Sequence, residues 1–98
     1  MHIRFEWSEQ NAIDHLKKHK ISFELATRVF ADPFMLMAQD RIENGEQRWQ
    51  SIGMVDAHVV VLVAHTASDD EDGTEVIRII SARKADKQER KRYENAQH

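Results

Sequence analysis

Near the end of the chain, Arg78-Ile79-Ile80-Ser81-Ala82-Arg83-Lys84 sets arginines within an apolar strand, and a basic segment, Lys87 to Arg92, follows it. Arginine stays charged at any working pH and presents a planar fork of donors that matches the oxygens of a phosphate. Two such groups on a rigid strand suit a phosphodiester, so RNA is the first partner to consider. Spacing imposes a condition. Side chains alternate between the faces of a strand, which groups Arg78 with Val76, Ile80 and Ala82 and turns Arg83, five positions on, to the other side. The two meet one phosphate only if the strand bulges or ends before Arg83. The plainer alternative for Arg78 is a pair with a buried carboxylate such as Glu6, and for Arg83 a solvated place at the start of a polar segment.

Whole-chain charge is not that of a nonspecific nucleic-acid binder, since 14 Lys plus Arg face 17 Asp plus Glu, a formal net charge of -3. The distribution is uneven. Arg83 to Arg92 carries six cations and two anions, whereas Asp69 to Glu75 carries five carboxylates and no cation, so one face can still be basic. The 98 residues suit one domain, 1–98, with one core. The chain has no cysteine, which excludes disulfides and thiolate metal sites and suits a reducing cytoplasm. Met1 to Trp7 has no signal-peptide run, and the longest apolar run, Val59 to Ala64, is too short to span a bilayer.

The elements that must position these residues can be read from period and punctuation. Ile3, Phe5 and Trp7 alternate with Arg4 and Glu6 as a short strand. Ser8 caps a helix with a narrow stripe of Ala12, Ile13 and Leu16, ending in Lys17-Lys18-His19-Lys20. Ser22 caps a second helix with Phe23, Ala26, Val29 and Phe30 inward, stopped at Asp32-Pro33. Strands are then expected over Phe34 to Gln39, Arg48 to Met54, His58 to Thr66 and Glu75 to Ala82. Turns fall at Asn44-Gly45, Val55-Asp56-Ala57 and Asp72-Gly73, and a polar helix covers Asp86 to Ala96. The order β-α-α-β-β-β-β-α predicts an α+β domain, a mainly antiparallel sheet with both early helices on one face.

Phe5-Glu6-Trp7 before a helix, Lys18-His19 at its end, Ser22-Phe23-Glu24 with Ala26 and Val29-Phe30, then Asp32-Pro33, Arg48, Ile52-Gly53 and Arg78-Ile79-Ile80-Ser81-Ala82-Arg83 together resemble BrnT, the toxin of a type II toxin-antitoxin pair. The likeness spans nearly the whole chain. It implies a RelE-like fold and metal-independent RNA cleavage that arrests translation, with no cofactor. It also implies a BrnA-like antitoxin with a ribbon-helix-helix part, through which alone the pair would meet operator DNA; the two-fold symmetry of such an antitoxin would give an assembly of two copies of each chain. Departures stand at Asn11, His15, Lys20, where family members often carry glycine at a left-handed helix end, and His65, where an aromatic is more usual.

RNA cleavage without a metal uses the ribose 2'-hydroxyl as nucleophile, so the protein must take its proton, stabilise charge growing on phosphorus and neutralise the leaving oxygen. Arg78 and Arg83 are the expected phosphate clamps, with Arg48 from a neighbouring strand as a third. His65 or His19 is the candidate proton carrier, because histidine titrates near neutrality unaided. Lys18, His19 and Lys84 are the expected further RNA contacts. Trp7, Trp49 and Tyr93 could serve RNA but fit core packing better. His15 and His19, four apart, lack the intervening glutamate and third ligand of a zinc helix, and Asp69 to Gly73 lacks the alternation of a calcium loop. The alternative to a nuclease is a catalytically silent module that only binds the antitoxin. The Met-rich segment Phe34 to Ala38 offers either function an adaptable partner surface.

Overall fold

The structure, a computed structural model, describes residues 2–96. The chain runs β1 (Ile3–Glu6), α1 (Glu9–His19), α2 (Phe23–Ala26), a 3-10 segment (Thr27–Ala31), β2 (Leu36–Glu43), β3 (Glu46–Val55), β4 (Val59–Asp69), β5 (Glu75–Lys84) and α3 (Lys87–Asn95). The five strands form one sheet in the order β1-β5-β4-β3-β2. Three tight connections make β2 to β5 antiparallel, while β1 lies parallel to β5, with Ile3 beside Glu75 and Glu6 beside Arg78. The expected α+β architecture is found.

Local signals account for most boundaries. Ser8 and Ser22 accept hydrogen bonds from the amides of Asn11 (3.3 Å) and Leu25 (3.0 Å), and Asp86 and Glu89 form a reciprocal capping box at the start of α3. Helix α1 ends on Lys20 at φ 61°, its amide bonded to the Leu16 carbonyl, in the left-handed conformation that favours glycine. Asn44 and Gly45, at φ 54° and 78°, close the β2–β3 hairpin. The second helix is shorter than its apolar spacing predicts: after one α turn it tightens into the 3-10 segment, bringing Val29 against β3. Strand β2 continues to Glu43 rather than stopping at Gln39, since ladder bonds to β3 hold the polar residues beyond it.

The two faces of the sheet are covered unequally. On one face α1, α2 and the 3-10 segment bury Ile21, Phe23, Ala26 and Val29 against Val55, Val61, Val63, Ile77, Ile79 and Ala82. On the other, α3 lays Tyr93 and the adjoining Ala85 over Ile52, Val60 and Leu62. That second cluster covers only the end of the face nearest α3.

Asp32 ties the two layers together where the chain leaves the 3-10 segment. Its carboxylate accepts from the Tyr93 hydroxyl (2.5 Å), the Met54 amide (2.8 Å) and the Phe34 amide (2.9 Å). Partial burial works against the charge, but these donors outweigh it and hold the carboxyl below its ordinary 3.8. Asp32→Ala is expected to cost about 2–3 kcal/mol near neutrality, because three donors lose their acceptor. A depressed folded-state value means that the charge stabilises above the unfolded value and ceases to do so as pH falls through the folded one. In urea melts the gap between the two proteins should therefore stay level from neutrality to about pH 5 and narrow below about pH 4. A gap that widens in acid would contradict the assignment.

Candidate nucleic-acid interface

Strand register assembles the site on the less covered face. Thr66 pairs with Arg78, and Arg78 with Glu6 of β1. Trp49 pairs with His65, so the same register carried one step further sets Arg48 across from Thr66. Glu6, Arg78, Thr66 and Arg48 thus form a row across four neighbouring strands, all on one face. Strands lie about 4.8 Å apart, so the backbones of Arg48 and Arg78 are about 10 Å apart, a gap that two arginine side chains can close around one phosphate.

The condition set by spacing is met by a bulge. Ladder partners pass from Ala64 and Ser81 to His65 and Ile79, leaving Ile80 of β5 without a counterpart. The extra residue reverses the alternation. Arg83, paired with Leu62, therefore lies on the same face as Arg78, not the opposite one. It does not share Arg78's position, however, because the partners Leu62 and Thr66 are four residues apart along β4, about 13 Å.

Freedom differs among the three arginines as much as position. Arg78 is exposed and, among the described residues, makes no hydrogen bond or ion pair; Glu6 beside it is also exposed, so the two are not the buried pair considered above. Arg48 is half-buried and its Nε is enclosed without a partner among the described residues. Arg83 is engaged: its fork meets both oxygens of Glu89 at 2.8 and 3.0 Å, which holds the Glu89 carboxyl below its usual range and raises the guanidinium further. Arg83 docks α3.

The C-terminal end of α1 comes near Arg83 through His19. Lys18 is exposed at the end of α1, and the half-buried His19 beside it is pushed down from its ordinary value by desolvation, then by repulsion from His15, Lys18 and Arg83. Lys84 is exposed but pairs with Val61 and so belongs to the opposite face. The ring of His15 lies 5.7 Å from that of His19, and its Nδ1 is bonded to the Asn11 carbonyl. No group of three or more potential metal ligands occurs among the described residues.

Residues 7–89 match the sequence profile of a family described as the ribonuclease toxin, BrnT, of type II toxin-antitoxin systems. This chain belongs to the BrnT family. The fold agrees with the 1.1 Å crystal structure of the Brucella abortus ribonuclease toxin BrnT: the TM-score is 0.61 at 18% sequence identity, over 89% of this chain and 100% of that one. Comparison with curated proteins gives no significant match. Type II toxin-antitoxin membership implies an antitoxin partner for a BrnT protein. No helix among the described residues is long and apolar enough to cross a membrane.

One residue expected at the BrnT site is corrected by the structure. His65 has no exposed surface. It faces the helical layer, its ring edge-on to Phe30 at 4.9 Å, with Nδ1 donating to the Thr66 carbonyl (3.1 Å) and Nε2 accepting from the Ser51 hydroxyl (2.8 Å). Burial lowers its proton affinity, so it is a neutral core histidine with no atom to offer a substrate. Tyr93 is likewise buried, its hydroxyl given to Asp32. Sequence reasoning missed Thr66 and did not place Glu6 in the site. Alternation within β1 put Arg4 and Glu6 on one face, but nothing local announced that β1 lies parallel beside Arg78.

Proposed function

We propose that this BrnT protein is a metal-independent endoribonuclease of the cytoplasm that arrests translation by cutting RNA, with Arg78 and Arg48 as the groups that hold the scissile phosphate. The observation that carries this reading is a pair of guanidinium groups on one sheet face, Arg78 exposed and Arg48 with a buried Nε, neither of these matched by an acceptor among the described residues. A buried donor without an acceptor is costly, and a phosphate oxygen supplies one. As negative charge grows on the equatorial oxygens, both cations would strengthen their hold. Lys18 and Arg83 would continue the cationic track for neighbouring phosphates, with His19 as a hydrogen-bonding neighbour, once RNA competes with Glu89 for the Arg83 fork. Lys84 would contribute at most through long-range attraction.

The same reading assigns neutralisation to a BrnA-like ribbon-helix-helix antitoxin, two copies of each chain to an assembly, with operator DNA reached only through the antitoxin. Phe34 and Met37, 57% and 46% exposed, support a partner-binding role for the segment around β2. Purified protein freed of its antitoxin and incubated with RNA in EDTA is expected to leave discrete fragments. Intact RNA together with retained antitoxin and operator binding would overturn the nuclease and favour the silent module.

A further inference from the structure

Between β1 and the start of α1 lies a cleft of about 540 Å³ lined by Phe5, Glu6, Trp7, Ser8, Glu9 and Arg78. Its size is that of a small-molecule site, and it opens beside Arg78, the one arginine of the row that is exposed and without an ion pair among the described residues. We infer that this cleft seats the nucleoside on the 5' side of the cleaved bond and that the Glu6 carboxylate takes the proton from its 2'-hydroxyl, a reading that rests on the ribonuclease function proposed above.

Register is the first support. Glu6 and Arg78 are direct neighbours across the parallel pair and point the same way, so a base and a phosphate ligand stand about 4.8 Å apart at the backbone. The chemistry needs that closeness, because a 2'-oxygen attacks the phosphorus of its own nucleotide from about 3–3.5 Å. Availability is the second. The Glu6 side chain is half exposed and its only ion pair among the described residues is a long one to Arg4 (3.4 Å), whereas Arg4 is held more closely by Asp70 at 3.0 Å. The charged groups around Glu6 are Arg4 on its own strand, Arg78 from β5 and Glu9 from α1, with Asp70 behind Arg4. Glu9, on the helix, lacks the strand register with Arg78 that Glu6 has. Trp7, held edge-on to Phe23 at 6.0 Å, gives the cleft a fixed aromatic wall for a base.

In the step itself the 2'-oxygen forms a bond to phosphorus as its proton passes to Glu6, and the bond from phosphorus to the 5'-oxygen breaks. The products are a 2',3'-cyclic phosphate on one fragment and a 5'-oxygen on the other, which takes a proton from water; Glu6 then returns its own to solvent. Arg78 offsets the extra charge on phosphorus between these events.

The test compares wild type, Glu6→Gln, Glu6→Asp and Glu46→Gln on a defined RNA, reading kcat, KM and the pH profile. For Glu6→Gln the expected result is a kcat about 10²- to 10⁴-fold lower at a KM close to wild type, with loss of the acidic limb of the profile. Glu6→Asp should restore that limb in part, and Glu46→Gln, at an exposed position outside the cleft, should leave kcat and the limb intact. Cyclic phosphate termini are expected on the wild-type fragments. A wild type that cuts RNA while Glu6→Gln keeps its acidic limb and a kcat within about threefold would overturn the role of Glu6 and leave the nuclease standing. A wild type that cuts nothing removes both.

Discussion

Replacing Arg78 with alanine is expected to slow RNA cleavage by about 10²- to 10³-fold, the usual cost of deleting one fixed donor aimed at developing charge. Arg78 is exposed and makes no hydrogen bond or ion pair among the described residues, so stability should change by no more than about 0.5 kcal/mol. The two readouts together separate a lost catalytic cation from a lost fold. Arg78→Lys should recover only part of the rate, since an ammonium keeps the charge but not the planar fork. Single-turnover cleavage measured beside a thermal melt decides the matter. Cleavage within about threefold of wild type would show that the scissile phosphate is held elsewhere.

The second large effect concerns Gly53, where no cation is involved. A Cβ on this residue would lie 2.9 Å from Val29 Cγ1, 3.0 Å from the Val29 carbonyl oxygen and 3.3 Å from Asp32 Oδ2. One of those neighbours is backbone and another belongs to a short, fully buried side chain, so relief requires the 3-10 segment to lift from β3. Gly53→Ala should therefore cost about 1–3 kcal/mol. For a chain of this length each kcal/mol lowers Tm by about 4–8 °C. Gly53→Val should cost more, and both variants should also loosen the Asp32 tie to Met54 and Tyr93. An unchanged melting temperature for Gly53→Ala would mean that the segment gives way freely.

Much of this architecture was legible because it is local. The caps at Ser8, Ser22 and Asp86, the Asn44-Gly45 hairpin and the apolar run Val59 to Ala64 of β4 are written in neighbouring residues, and the resemblance to BrnT rested on strings of the same short range. What escaped the sequence was non-local. The bulge at Ile80 decides whether Arg78 and Arg83 share a face, yet it arises from pairing with Ala64 and His65 on another strand. The sequence left two outcomes for Arg83, and the structure supplies a third, a pair with Glu89 six residues on. The parallel docking of β1 has no turn to announce it, so Glu6 could be read only as an internal acid. His65 looked like chemistry because of its type, whereas its environment makes it a core group. Residue type proposes a role, and the other side of the sheet decides it.

The union of the first strand with the last has a bearing on when the protein becomes dangerous. Glu6 and Arg78 are roughly seventy residues apart in the chain, so bringing them together closes a long loop, the kind of contact that slows folding. A ribosome adding about 5–20 residues per second needs several seconds to deliver the second after the first. Until then β1 lacks the strand neighbour that sets Glu6 beside Arg78. A nascent chain that has not yet made β5 thus has the acid without the cation proposed to work beside it.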